Sequence, residues 1–305
     1  MKNFASIGEC MVELSSTGEG LYRRGFAGDT LNTAWGVRAL ADPSELDVRY
    51  VTCVGDDKLS DDLVGFIDGA GIGTGSIRRV PARTVGLYMI TLDGYERSFT
   101  YWRDTAAARL LAENPDALAA ALADVDCVYL SGITLAILSP EHRRNLLDVL
   151  AGVRARGGMI AFDGNVRLRL WPNVDAMRAG LEAGYRASTI ALPTFPDEQA
   201  IFNDVSAEVC AIRIAGYGVP EVVVKDGADP CTLWFDGAAH VVPAVKVEQP
   251  TDTTGAGDSF NAGYLAARLS GASPIEAAKL GHRVASRVIC SPGALIDMAA
   301  LRACR

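Results

Sequence analysis

The sequence predicts an α/β fold: a mostly parallel sheet covered by helices on both faces, carrying a small β-rich flap. Three observations point there. From Leu118 onward, short apolar runs (127–132, 159–163, 189–192, 222–225) alternate with helical stretches, and strands apolar throughout suit a sheet buried on both sides. Earlier, residues 84–92 and 97–102 alternate apolar and polar around Asp93-Gly94, which is a hairpin signal. The chain has 305 residues, 49% hydrophobic and 22% charged, enough for a sizeable core in one large domain or two smaller ones.

Taken in order, residues 4–8 read as a first strand and residues 10–14 as a second, polar-edged one. Residues 25–34 read as a glycine turn opening a helix that continues to about Leu40. Residues 48–54 form a strand ending at Gly55-Asp56-Asp57, and residues 59–67 a helix. The run from Gly69 to Gly75 is glycine-rich, but it follows a helix instead of a strand, so it reads as a loop and not a dinucleotide fingerprint. Thr232-Leu233-Trp234-Phe235 followed by Asp236-Gly237 suggests another hairpin, and Ala285-Ser286-Arg287-Val288-Ile289 ends a helix. No repeat, low-complexity tract or linker interrupts the chain. One domain spanning 1–305 is expected, with a flap from segments near 9–27 and 84–103.

Composition excludes several classes. A net charge of −8 and a pI near 5 argue against a nucleic-acid surface. The same charge means that an anionic ligand must be drawn in by local arginines. No apolar run is long enough for a membrane helix, and Met1-Lys2-Asn3-Phe4 lacks a signal-peptide pattern, so a cytoplasmic location is expected. Seven scattered cysteines without Cys-x-x-Cys, and three separated histidines, suggest neither a zinc cluster nor a disulfide framework.

The chemistry concentrates in Asp252-Thr253-Thr254-Gly255-Ala256-Gly257-Asp258-Ser259-Phe260. Its glycines open a buried helix running to about Leu269. Glycines at a helix start let the backbone approach a ligand, and the unpaired first-turn amides suit a phosphoryl group. Asp258 would repel that phosphate, so a functional reading gives it the proton of an attacking hydroxyl; by itself the run also fits an ordinary N-cap. Asp29 and Asn32, three apart at another helix start, present two hydrogen-bonding heads to one side, or a cap and a surface residue. Arg103 follows Tyr101-Trp102, with Tyr88 on the preceding strand, and Arg167 and Arg169 lie just past a strand's carboxyl end. Arginine forks match carboxylates, which neutral sugars lack. There is no P-loop, nucleophile elbow or His-Glu-x-x-His.

The 252–260 run resembles the C-terminal signature of the ribokinase-like (PfkB) carbohydrate kinases, and the resemblance extends over essentially the whole chain. It implies a three-layer sandwich with a β-rich lid, an anion hole from the Gly255, Ala256 and Gly257 amides, and Asp258 as base. Gly8-Glu9-Cys10-Met11-Val12-Glu13-Leu14, Ala27-Gly28-Asp29-Thr30-Leu31-Asn32-Thr33, Tyr101-Trp102-Arg103 and residues 162–171 resemble the branch of the family that phosphorylates 2-keto-3-deoxy sugar acids. That resemblance implies substrate binding by Gly28, Asp29, Asn32, Tyr88, Tyr101, Arg103, Arg167 and Asp258. Ala27 replaces the first glycine of the usual Gly-Gly-Asp, and Gly164 stands where the family has Asn. The resemblance further implies ATP near Asp163, Asn165, Lys225, Gly227, Ala228, Gly255, Gly257, Ala285 and Val288. It implies Mg²⁺ near Asp197, where Thr194 and Asp197 stand for the family's Asn and Glu, and it adds a monovalent cation and a homo-oligomer. The expected reaction is transfer of phosphate from ATP to the terminal hydroxyl of 2-keto-3-deoxy-D-gluconate. A kinase for a neutral sugar such as fructose, or a sugar-acid sensor without catalysis, are the alternatives.

Overall fold

The computed structural model describes residues 1–93 and 96–305, so Gly94 of the expected hairpin turn lies outside the described residues. The strands in chain order are β1 (Lys2–Ile7), β2 (Met11–Gly18), β3 (Leu21–Ala27), β4 (Leu46–Val54), β5 (Ile77–Arg79), β6 (Leu87–Asp93), β7 (Glu96–Trp102), β8 (Cys127–Ser131), β9 (Met159–Asp163), β10 (Ile190–Ala191), β11 (Glu221–Val224), β12 (Cys231–Phe235) and β13 (Ala238–Val242). Among the described residues, nine strands form the body sheet in the order β13-β12-β11-β10-β9-β8-β1-β4-β5. β11 to β5 run parallel, while β12 and β13 turn back antiparallel. Residues Cys127–Ser131 and Glu221–Val224 are buried throughout, as their apolar runs require.

Two cores cover the sheet's two faces, and together with the sheet they make three layers. One packs Leu146, Leu150, Met177, Leu181 and Ile214 against one face. The other packs Leu31, Val37, Leu63, Ile67, Phe260, Leu265 and Ala277 against the other. No described helix is long and apolar enough to cross a membrane.

A second sheet, in the order β3-β2-β6-β7, is built from the 11–27 and 87–102 segments. β3 corrects the sequence expectation: residues 25–27 belong to a strand, and the helix begins only at Asp29. Leu21, Tyr22, Arg23 and Arg24 are exposed on this sheet edge, so no apolar alternation marked them. The expected strand at 189–192 narrows to Ile190–Ala191.

The Ala256–Leu269 helix is buried almost end to end, packed between the Asp29–Leu40 and Pro274–Val288 helices. Small residues permit this. A Cβ on Gly263 would stand 2.9 Å from the Gly281 Cα, and one on Gly36 would stand 2.5 Å from the Ala262 Cβ. Backbone cannot yield as a side chain does, so Gly263→Val should lower stability by about 1–3 kcal/mol through overpacking. Urea unfolding checks this: the midpoint should fall at an unchanged slope, and an unchanged midpoint would mean that the helices can separate freely.

Candidate active site

A cavity of about 630 Å³ lies at the carboxyl edge of the body sheet, under the second sheet. β1 leads to Glu9, β9 ends at Asp163, and β11 leads to Lys225; all three residues line the cavity. Strand order reverses between β1 and β8, the place where open parallel sheets leave a crevice.

At one end stands the start of the Ala256–Leu269 helix. Gly255 is its N-cap, with φ +74°, and no side chain caps it. A Cβ there would meet Ala294 at 2.6 Å, so glycine is required twice over. Asp252 braces the approach: Oδ1 accepts from the Thr254 amide at 3.0 Å, and Oδ2 from the Gly293 amide at 2.8 Å. The Ser259 amide makes the first helical bond, to the Gly255 carbonyl. The Ala256 amide, expected to serve an anion, donates to the Thr253 carbonyl at 3.2 Å. The Gly255, Gly257 and Asp258 amides have no partner among the described residues, and all three residues line the cavity.

Asp258 sits in a crowd of carboxylates. Burial, and then the charge of Asp29, push its carboxyl from the ordinary 3.8 up to about 7. Asn32 Nδ2 opposes this by donating to Asp258 Oδ2 at 2.8 Å. Burial likewise raises Asp29, whose Oδ2 accepts from Asn165 Nδ2 at 2.6 Å. Asn165 reaches it from a left-handed backbone, φ 33°, which asparagine tolerates; its own amide donates to Asp163 Oδ1 at 3.0 Å. Lys225 Nζ lies 2.8 Å from Asp163 Oδ2 and donates to Asn261 Oδ1 at 3.0 Å, while Asn261 Nδ2 donates to Asp163 at 2.6 Å.

The other end is aromatic and basic. Tyr88 and Tyr101 stack with centroids 5.7 Å apart, and the Tyr88 hydroxyl donates to Glu13. Arg103 is buried in an ion pair with the equally buried Glu9. Burial raises the Glu9 carboxyl, and the Arg103 charge opposes that rise. Arg167 lines the cavity, and its Nη1 donates to the Val166 carbonyl at 2.7 Å. Arg169 lies over the Tyr101 ring at 4.0 Å.

Gly28 lines the cavity because its backbone presses on Glu9: a Cβ would stand 2.3 Å from the Glu9 carbonyl oxygen. Gly164, the departure from the family's Asn, has a packing reason too. A Cβ there would meet the Tyr185 hydroxyl at 2.6 Å and Glu198 Oε1 at 2.9 Å. Asp197 lines the cavity and accepts from the Val166 amide at 3.4 Å; burial raises its carboxyl. Neighbouring Glu198 turns away to Arg213, which also holds Asp204, each at 2.7 Å. That acidic cluster is therefore an ion-pair network and not a cation cradle.

Four expected residues do not join the cavity lining. Gly227 and Ala228 are exposed in the turn beyond β11. Ala285 packs half-buried on the helical core. Val288 is a correction: it is 1% exposed in a core cluster with Ala39, Leu40, Ala266 and Val284, because helical spacing turns it inward. Conversely, Glu9 and Glu13 line the cavity and Asn261 supports it, although sequence reasoning gave none of them a role; Arg169, read there only as part of an arginine pair, lines it as well. Asn261 stands alone as a carboxamide in an apolar helix, a signal that was legible but not used.

With fold and cavity in place, the comparisons define the class. The pfkB family carbohydrate kinase model matches residues 1–300, and the chain belongs to that family. More particularly, the chain is 45% identical over 308 aligned residues to the 2-dehydro-3-deoxygluconokinase of Dickeya dadantii (strain 3937), covering 99% of both chains. Among solved structures, a PfkB protein from Polaromonas sp. JS666 superposes with a TM-score of 0.86 at 22% identity, covering 99% of each chain. The fructokinase of Xylella fastidiosa with bound ATP gives 0.84 at 20% identity, covering 99% and 97%.

The raised Asp258 carboxyl makes a statement about stability. The native state holds this proton more tightly than the unfolded chain does, so the stabilisation is present near pH 4 and lost as pH rises toward 7. Asp258→Asn should therefore be more stable than the parent above pH 7, by a few kcal/mol at most at about 1.36 per unit, with the gap closing toward pH 4. Denaturant midpoints at several pH values measure it, and a pH-independent gap would refute the shift.

Proposed function

We propose that the protein transfers the γ-phosphoryl group of ATP to the terminal hydroxyl of 2-keto-3-deoxy-D-gluconate, forming 2-keto-3-deoxy-6-phosphogluconate. The observation that carries this reading is Asp258 beside three unpartnered amides at the helix start, in one cavity with arginines at its far end. The 45% identity to a curated 2-dehydro-3-deoxygluconokinase supports it.

In this reading the substrate's hydroxyl lies against Asp258, and Asp29 and Asn32 receive neighbouring hydroxyls. Asp258 takes the hydroxyl proton as the oxygen bonds to the γ-phosphorus, and the bond from phosphorus to the bridging oxygen breaks to release ADP. The Gly255, Gly257 and Asp258 amides and the positive end of the helix stabilise charge on the phosphoryl oxygens. Lys225, Asp163 and Asn165 border the phosphates, while Gly227, Ala228 and Ala285 border the nucleotide further out. Asp197 fits Mg²⁺ because it offers a hard oxygen to the cavity with one long protein contact, and magnesium binds such carboxylates directly or through water. When bound, that ion offsets charge on the nucleotide's phosphates. Tyr88, Tyr101, Arg103 and Arg167 hold the keto-acid end, and closure of the β3-β2-β6-β7 sheet excludes water.

Asp258→Asn should keep the fold and ATP binding but lower turnover about 10²–10⁴-fold, as expected for losing a general base. A coupled ADP-release assay on a panel of sugar acids and neutral sugars tests both parts: near-normal turnover by the variant sinks the base, and a preference for a neutral sugar sinks the substrate. Because the base must be ionised, the parent's kcat/KM should fall about tenfold per pH unit below a midpoint near pH 7. Asp29→Asn removes the second cause of the shift, and the acid limb should move to lower pH. A limb left in place would mean that another group titrates.

A further inference from the structure

An acidic substrate has to be held here against an adverse charge balance. The carboxylates of Glu9, Glu13, Asp29, Asp163, Asp197 and Asp258 line the same cavity as the cations of Arg103, Arg167, Arg169 and Lys225. Two of those cations are already neutralised. Arg103 is paired with Glu9 where both side chains are buried, and Lys225 is paired with Asp163 at 2.8 Å. Neither Arg167 nor Arg169 makes a salt bridge among the described residues; the Arg167 charge does face Asp197, whose carboxyl it lowers against burial, whereas Arg169 has no such acid opposite it. Opposite charge within a few ångströms largely cancels a cation's field beyond the pair, so attraction of a further anion falls to the unpaired ones.

Arg169 is also pre-ordered. Its guanidinium lies 4.0 Å from the centre of the Tyr101 ring, and Tyr101 stacks in turn on Tyr88 at 5.7 Å. A cation held over a ring face keeps N–H donors available for a carboxylate, which accepts two of them side by side. An arginine pinned by a ring loses less freedom on binding than a solvated one. Arg167, two residues earlier in the same loop after β9, lines the same end of the cavity.

We propose that Arg169, held on Tyr101, is a specificity-determining residue that binds the substrate's carboxylate together with Arg167 and so sets the preference for sugar acids over neutral sugars. Arg103, whose charge Glu9 balances, holds the keto-acid end through its N–H donors, and Arg169 adds net charge there. The inference rests on the sugar-acid kinase reading above, and the experiment separates the two.

KM and kcat for 2-keto-3-deoxygluconate and for fructose are measured on the full chain and on Arg169→Gln, Arg169→Lys and Arg167→Gln, with denaturant midpoints confirming that each variant is folded. Arg169→Gln should raise KM for the keto acid at least about tenfold, the size of a lost charge-assisted hydrogen-bonded contact, with kcat within about twofold. Any turnover of fructose should be unchanged, because it carries no carboxylate. Arg169→Lys should recover part of the loss, since it keeps the charge but not the fork. An unchanged KM in Arg169→Gln beside a raised KM in Arg167→Gln overturns the role of Arg169 and leaves the keto-acid reading standing. An equal fall of kcat on every substrate without a change in KM overturns it too, because Arg169 would then be a flap contact. Failure of the parent chain to turn over the keto acid overturns the underlying reading itself.

Discussion

Everything at the carboxyl edge of the sheet is arranged around three carboxylates forced into one crevice. Asp29, Asp163 and Asp258 raise one another's energy when ionised, and burial adds to it. The protein answers with one buried ammonium, Lys225, and three carboxamides, Asn32, Asn165 and Asn261. The distinction matters physically. A carboxamide satisfies an oxygen and fixes its direction without contributing a charge. Asp258, held by Asn32 alone, is oriented but stays basic, whereas Asp163, given Lys225, is tied down as part of the floor. Two members of one acidic cluster are thereby prepared for different work by the charge of their partners.

The second sheet is attached to this floor by a closed base. Glu9 stands just before β2 and Arg103 immediately follows β7, so their buried ion pair ties the chain entering the second sheet's first strand to the chain leaving its last, although the chain returns to the body between β3 and β6. Taking one partner away would strand a buried charge, which costs about 3–5 kcal/mol in comparable pairs. Further out, Arg169 from the body stacks on Tyr101 from β7 and Tyr88 donates to Glu13 of β2. The body and the sheet above it thus share side chains at both the base and the mouth of the cavity, and movement of the sheet changes the place of the cations.

What could be read from sequence was contiguous. The run 252–260 carries its turn, its helix start and its odd acid within a few residues, so its chemistry survives without knowledge of anything distant. The buried parallel strands announced themselves by unbroken apolar runs. β3 did not, since an exposed edge strand owes nothing to apolar alternation. Val288 was placed near ATP by the family resemblance alone; its helical spacing points inward, and it packs in the core with Ala39 and Leu40.

By itself, then, the sequence determined the α/β architecture, the position of the glycine-rich helix start with its one acid, Asp258, and the presence of arginines suited to an acid. Tertiary structure alone decided how basic Asp258 is, and which arginines are already ion-paired. Glu9 and Arg103 are separated by 94 positions, and Asn32 and Asp258 by 226. Desolvation and charge neutralisation act over a few ångströms, and no local pattern in the chain encodes a distance of that kind.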